Sequence, residues 1–425
     1  MSQPTERRRH IALWLLGLVA VVSYVDRQAF SVLQDDIKRE FQLTDTALSL
    51  LSGPAFAVIF ALASLPIARL ADRLDRPLII SISLAVWSLA TALSSIVGSV
   101  WHMVAARMSV AVGEAGSGPA SLSLLTDIFP PERRGFVIGF YQSANAIGLS
   151  LGVAIAAGLA AFLPWRTVFI ALGLPGLLLA IIVFLFVIEP RRGGITAAAL
   201  ETEPHATLLE ALAFMGRCPP LRWFALMCVS IPVTGFAVIM WSPSFLQRVH
   251  GFSKAELGWL GLAILLGLVA GNLAAGWIGD KFGSRNLRFN AQFAGLGLLA
   301  AFPFALGFAL LPDATGALGA LVIMKFTMTL WLPPMMKVAL SLVPSTMRAT
   351  TSALISLFII LSGVGFGTYA AGALSDAYAA TYGDQSLRYS LATTTVGLLI
   401  GAFAAFMAAR KLPTEEQAAP APAGG

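Results

Sequence analysis

Two charged residues sit where charge is expensive. The stretch Ala106–Gly135, ARMSVAVGEAGSGPASLSLLTDIFPPERRG, begins as an apolar helix yet carries Arg107 and Glu114 well inside it. Their spacing is two helical turns, so both fall on one face, about 10.5 Å apart along the axis. The Ala, Val, Gly and Ser between them are small enough for neighbouring helices to approach closely. At the centre of a bilayer a charge costs about 2.5–3.5 kcal/mol on insertion scales, so the two need partners and a wet cavity. An earlier stretch, SYVDRQAFSVL (Ser23–Leu33), supplies Asp26 and Arg27, again inside apolar sequence. Two acids and two bases sum to zero, which partly offsets their desolvation. Carboxylates in such a setting can exchange protons near neutral pH, so the quartet reads as a proton-coupling site; a purely structural ion-pair cluster is the alternative.

A third position of this kind is Lys325, about ten residues into another apolar segment. Around it the sequence is greasy: TGFAVIMW (Thr234–Trp241) and MKFTMTLW (Met324–Trp331). A sugar site would require several Asn, Gln or Glu there to replace hydroxyl hydrogen bonds, and they are nearly absent. Lys325, Thr329, Trp241 and Trp331 are therefore candidates for a cavity that takes an amphipathic molecule, with Tyr24, Gln28, Gln142 and Asn145 as polar candidates from the first half. Each of these last four also fits a helix–helix hydrogen bond, and Lys325 also fits a lysine paired with a backbone carbonyl.

The elements that must hold these residues are membrane helices. The chain has 425 residues, 57% hydrophobic and only 12% charged, with a mean hydropathy of +0.80; soluble domains carry about 25% charged residues. A net charge of +6 suggests nucleic acid, but the basic residues cluster at the ends of apolar segments and form no single patch, which excludes it. Apolar segments long enough to cross a bilayer fall near 11–34, 46–68, 78–98, 101–128, 135–161, 165–188, 221–247, 256–279, 287–311, 315–342, 350–373 and 385–410. Lys and Arg concentrate on the side of the amino terminus, from Arg7–Arg9 through Arg133 and Arg134 to Arg410 and Lys411. The positive-inside rule then places both termini in the cytoplasm of a multi-pass protein of the cell membrane, in a bacterium the inner membrane. The opening RRRH lacks a small-residue cleavage site after its apolar run and reads as the start of an uncleaved first span.

The longest polar stretch, 189–220, reads as a cytoplasmic linker between a bundle of six helices over 1–188 and a second over 221–411; within it TLLEALAFMG suits a short helix on the membrane surface. The Pro- and Ala-rich 412–425 reads as a disordered tail. The halves are related: Asp72-Arg73 follows span two and Asp280-Lys281 follows span eight, while Gly148 and Gly152 in span five match Gly363 and Gly367 in span eleven at nearly the same offset. Two independent features argue for a duplicated six-helix unit. No Walker loop, no Ser-His-Asp spacing and no metal cluster occur, and Cys218 and Cys228 form no ligand pattern, so neither an enzyme nor a metal or other cofactor is expected.

The Asp72-Arg73 and Asp280-Lys281 loops resemble the signature loop of the major facilitator superfamily, G-x-x-x-D-[RK]-x-G-[RK]. The second copy keeps Gly276 and Gly283, whereas the first has Ala68 and Asp75 at those positions. Within that superfamily SYVDRQAFSVL, PIARLADRLDR, ARMSVAVGEAG and LLTDIFPPERRG are similar to the Spinster family of lipid transporters. The resemblance implies an all-α fold of twelve transmembrane helices in two pseudo-symmetric six-helix bundles around a central cavity. It further implies alternating access, with Asp72, Arg73, Asp280 and Lys281 at a cytoplasmic gate. The expected function is proton-coupled transport of a lysophospholipid or sphingosine-phosphate type of lipid by a monomer whose partners are substrate, protons and membrane lipids. Proton-coupled transport of a small organic anion such as a sugar acid is the second reading, and a membrane sensor that binds without transporting is a third. Span five has no proline beside its glycines, which departs from the antiporter signature and leaves the direction of coupling open.

Overall fold

Helices fill the chain wherever apolar runs were long, because a backbone in lipid must satisfy its own polar groups. The computed structural model describes residues 6–189, 207–282 and 286–412; the expected disordered tail, Gly283, and most of the polar half of the linker lie outside them. Seventeen α-helices are present among the described residues: α1 Glu6–Phe41, α2 Asp45–Ser52, α3 Pro54–Arg73, α4 Arg76–Leu93, α5 Val100–Ile128, α6 Arg134–Ala160, α7 Trp165–Phe186, α8 Leu208–Arg217, α9 Pro219–His250, α10 Gly258–Lys281, α11 Leu287–Leu310, α12 Ala314–Thr329, α13 Leu332–Leu342, α14 Arg348–Ile359, α15 Thr368–Tyr382, α16 Ser386–Thr394 and α17 Val396–Lys411. No strand occurs among the described residues, and the fold is all-α.

Each apolar segment of the sequence falls on helix, with informative departures. The first helix is not the 11–34 span alone but 36 residues long, about 54 Å at 1.5 Å per residue, longer than the bilayer with its headgroups. Span two is broken between α2 and α3 at Gly53-Pro54. Span ten is broken between Thr329 and Leu332, where Pro333 and Pro334 remove backbone donors. Span eleven contains an eight-residue π-helical segment, Ile360–Gly367, between α14 and α15. Among the described residues, ten stretches are long and apolar enough to cross a membrane by length and composition. One of them, Thr350–Lys411, runs to 62 residues and covers both of the last two expected spans, while the charged α5 is not among the ten.

The helices divide into two compact units. One comprises Met1–Thr202, Met240–Leu265 and Ala371–Leu387; the other comprises Glu203–Ile239, Leu266–Ala370 and Arg388–Gly425. In the first, Gly152 of α6 lies so close to α1 that a Cβ on it would sit 2.8 Å from Val25 Cα. In the second, a Cβ on Gly367 would sit 2.5 Å from the Val233 carbonyl and 2.7 Å from its Cα on α9. The matched glycines of the two halves thus perform one task, letting the fifth span of each half pack backbone to backbone on its first. From the linker, α8 is closed at its start by a capping box in which Thr207 and Glu210 satisfy each other's backbone N–H. The acceptor role holds the Glu210 carboxyl below the usual carboxylate range.

Candidate functional site

The four charges of the first half meet inside the first unit. Asp26, Arg107 and Glu114 are buried, and Arg27 is mostly so. Both pairs are carried by continuous helix: α1 brings Asp26 and Arg27 to the height at which α5 presents Glu114 and, two turns earlier, Arg107. Arg27 Nε donates to Glu114 Oε2 in a buried ion pair. Asp26 pairs differently. Its Oδ2 accepts from the hydroxyl of Thr91 on α4, and its Oδ1 is buried without a hydrogen-bond partner.

Arg107 makes no ion pair among the described residues, and its Nε is buried without a partner. Its guanidinium lies 4.6 Å from the Phe30 ring centre and 5.5 Å from that of Phe56. Electrostatically it still feels both Asp26 and Glu114. The Arg27 guanidinium is boxed by Tyr24, Phe56 and Phe60, at 5.2, 5.2 and 5.5 Å from their ring centres. Cations over aromatic faces in a desolvated setting gain about 2 kcal/mol or more, so the rings hold the arginines without neutralising the carboxylates.

Other candidates of the first half are less central. Gln28 is buried and accepts from the Ser31 hydroxyl of its own helix at 3.2 Å. Gln142 is exposed and accepts from Asn145 Nδ2 at 2.9 Å, within α6 and not across to a neighbour.

The second unit holds a cavity of ≈ 290 Å³ whose wall includes Gly235, Phe236, Asn272, Lys325, Thr329 and Trp331, with aliphatic and Met side chains making up most of the remainder. Lys325 is buried and reaches the Gly235 carbonyl at 3.5 Å, while Thr329 donates to the Lys325 carbonyl at 2.6 Å. Trp241 does not line this cavity; it belongs to the first unit and packs under Arg248, whose guanidinium is 5.8 Å from a ring centre.

Of the expected gate residues, the side chains of Asp72, Arg73 and Asp280 lie outside the described residues; Lys281 is exposed, with its Nζ 4.8 Å from the Trp277 ring centre. The structure adds Arg76, the last residue of the first signature loop. Arg76 is buried, forks onto Glu189 through Nε at 3.0 Å and Nη2 at 2.6 Å, and reaches Asp127 through Nη1 at 2.6 Å. The first signature loop, the LLTDIF end of α5 and Glu189 at the start of the linker are thereby tied together.

At the opposite end of α1 the first unit contains an ion-pair network that sequence reading missed. Arg248 of α9 bridges Asp35 and Asp45, with Nη1 2.9 and 2.8 Å from the two Asp45 oxygens. Lys38 also pairs with Asp45, and Lys254 with Asp36. Asp376 of α15 accepts the backbone N–H groups of Asp45 and Thr46 at 3.0 and 2.7 Å. The acid–base run DDIKRE (Asp35–Glu40) was the available signal, and it reads equally well as the solvated end of a span.

Buried opposed charges on helices apolar enough to cross a membrane, with a greasy cavity in the second unit, fit a multi-pass integral membrane transporter. The chain belongs to the Major Facilitator Superfamily, whose family model matches residues 16–368. It is 29% identical over 407 residues, 95% of this chain and 94% of the relative, to an MFS-type efflux pump of Mycolicibacterium smegmatis. It is 26% identical over 339 residues to a probable L-galactonate transporter of Escherichia coli, covering 76% of this chain and 73% of that one. Among solved structures, a bacterial homolog of the human lysosomal transporter Spinster, in an inward-facing and unoccupied conformation, superposes with a TM-score of 0.84 at 27% identity, covering 96% of this chain and 98% of that one.

Proposed function

We propose that this protein is a proton-coupled secondary transporter of amphipathic lipids, of the lysophospholipid or sphingosine-phosphate type, working by alternating access between halves 1–188 and 221–411 with both termini in the cytoplasm. The observation that carries the proposal is the arrangement of Asp26 and Glu114. One carboxylate is ion-paired to Arg27 and the other accepts from a neutral hydroxyl, beside an arginine that has no carboxylate partner among the described residues. Asp26 and Glu114 exchange protons, and Arg27 and Arg107 are the partners that rearrange when a carboxylate is neutralised. Asp72, Arg73, Asp280 and Lys281 act at the cytoplasmic gate.

The drive is sufficient. One proton moving through 100 mV supplies about 2.3 kcal/mol, and a unit of pH about 1.4 kcal/mol; together they bias a two-state equilibrium several-hundred-fold. The greasy lining of the second unit's cavity supports an amphipathic substrate, as does the resemblance of the first-half motifs to the Spinster family of lipid transporters.

A second reading, proton-coupled transport of a sugar acid, is favoured by the similarity to the probable L-galactonate transporter. Purified protein in liposomes separates the readings. Under an imposed proton gradient a long-chain lysolipid should move and should displace a bound reporter, while gluconate should do neither. The reverse ranking would give the case to the sugar acid, and binding of either without flux would indicate a sensor.

A further inference from the structure

We propose that Lys325 is the counter-ion for a singly charged anionic head on a single-chain amphiphile whose tail fills the cavity of the second unit. The inference rests on the lipid-transport reading above and adds the sign of the substrate's head and the residue that receives it. Lys325, not the arginines of the quartet, is the group assigned to the head.

Lys325 is 3% exposed and forms no ion pair with any carboxylate among the described residues. Its one hydrogen bond, to the Gly235 carbonyl, is 3.5 Å long, at the limit of what counts as a bond. An ammonium has three donors, so at least two are uncommitted. A charge buried in this way is costly unless something of opposite sign joins it.

The local backbone aims this group across the cavity. A Cβ on Gly267 of α10 would lie 2.6 Å from Lys325 Cβ and 2.6 Å from the Val322 carbonyl, so α10 presses against the base of the lysine, and its Nζ reaches the Gly235 carbonyl of α9 at 3.5 Å. Lys325 and Gly235 both line the cavity.

The lining then selects the ligand. Among the described residues no acidic one contributes to it, and the Thr329 hydroxyl is already committed to the Lys325 carbonyl. A purely cationic head would find no counter-charge there, whereas the carboxylate, sulfate or phosphate monoanion of a head would find one in Lys325. Ile231, Leu268, Met328 and Trp331 offer apolar surface to a tail. At ≈ 290 Å³ the space is near the lower end of ligand pockets, about 300–1,000 Å³, which suits one alkyl chain and not two.

The experiment is equilibrium dialysis of radiolabelled dodecanoate, at a pH where it is ionised, against the full-length protein in zwitterionic nanodiscs, with empty nanodiscs subtracted. Competitors are dodecanol, dodecyltrimethylammonium, gluconate and the two-chain anionic lipid phosphatidylglycerol. Dodecanoate should bind about 10–100-fold more tightly than dodecanol, the range of one charge-assisted contact. Lys325→Met, which removes a buried charge and keeps the stem, should erase that difference, and Lys325→Arg should keep most of it. Equal binding of dodecanoate and dodecanol, or an unchanged preference in Lys325→Met, overturns the assignment. So does Lys325-dependent binding of phosphatidylglycerol without dodecanoate, which would make the site one for a resident membrane lipid. Proton-coupled lysolipid flux that persists alongside any of these results leaves the transport reading standing; binding of gluconate without dodecanoate removes both.

Discussion

Thr91 holds Asp26: the hydroxyl of α4 donates to the buried carboxylate of α1, and neither neighbouring arginine pairs with it. The two acids of the quartet are therefore not equivalent. Glu114 is tied to a cation, whereas Asp26 is tied to a group that can donate to its charged form or accept from its protonated form without moving. Asp26 is accordingly the carboxylate best placed to cycle.

Thr91→Val tests this. Valine keeps the shape and removes a donor to the ionised carboxylate, so the protonated form gains ground and the pH midpoint of transport moves upward, by about one unit if the lost bond is worth about 1.4 kcal/mol. Thr91→Ser restores the hydroxyl and should return the midpoint. A purely structural role would lower the transport rate in Thr91→Val with no displacement of the profile in proteoliposome flux assays.

Removing one member of the Arg27–Glu114 pair should cost more than neutralising the other. Arg27→Ala strands a buried carboxylate, a loss of about 3–5 kcal/mol for pairs of this kind. Glu114→Gln keeps an acceptor for the arginine and mimics the protonated acid. Thermal unfolding in detergent should therefore show a large drop for Arg27→Ala and a small one for Glu114→Gln. Glu114→Gln should also retain substrate binding and flatten the pH dependence.

Much of this was legible in the sequence because charge inside apolar runs is conspicuous. Asp26-Arg27 and Arg107 with Glu114 stand out as two acids and two bases inside apolar runs, each needing a partner of opposite sign. Thr91 was not legible, since a hydroxyl in a membrane helix normally returns to its own backbone, as Ser81, Ser94 and Ser109 do here. Nor were Phe30, Phe56 and Phe60 distinguishable from ordinary packing residues among 27 phenylalanines. The break in span ten left a visible trace, Pro333-Pro334. The Arg248–Asp35 contact left only the ambiguous run Asp35–Glu40, because its members lie far apart in the chain and charges near helix ends are ordinary.

The glycines at the fifth spans make a stability prediction. Adding one methyl at Gly367 would drive it into the Val233 backbone, which cannot rotate away as a side chain can. Gly367→Ala should therefore lower the melting temperature and yield, while Ala at Gly158, where nothing lies within 4 Å, should be neutral. Overpacking of this kind typically costs about 1–3 kcal/mol. Equal melting temperatures for the two variants would mean that the π-helical segment around Gly367 yields instead.

The ion-pair network at the far end of α1 is extracytoplasmic under the proposed topology. Arg248 satisfies Asp35 and Asp45 together, and Asp376 caps the start of α2, so α9 and α15 from the second half of the sequence are bonded to the first half at this end. Ser49, fully buried, lies under Gly372 of α15: a Cβ on that glycine would be 2.7 Å from Ser49 Cβ. In Arg248→Met both aspartates lose this partner, although Lys38 still serves Asp45. Loss of one member of a buried charge pair costs about 2–5 kcal/mol, enough to raise the population of an opened state tenfold or more at 1.4 kcal/mol per decade. A cysteine placed at Ser49 should then react with an impermeant maleimide from outside at least about tenfold faster in Arg248→Met than in the unaltered background. Asp376→Ala should act in the same direction. Arg39→Met is the control: its contact with Asp36 is 3.7 Å long and its side chain 74% exposed, and such pairs contribute about 0–1 kcal/mol, so labelling should be unchanged. Equal rates in Arg248→Met and Arg39→Met would show that backbone packing of α15 on α2, and not the ion pairs, keeps this end closed.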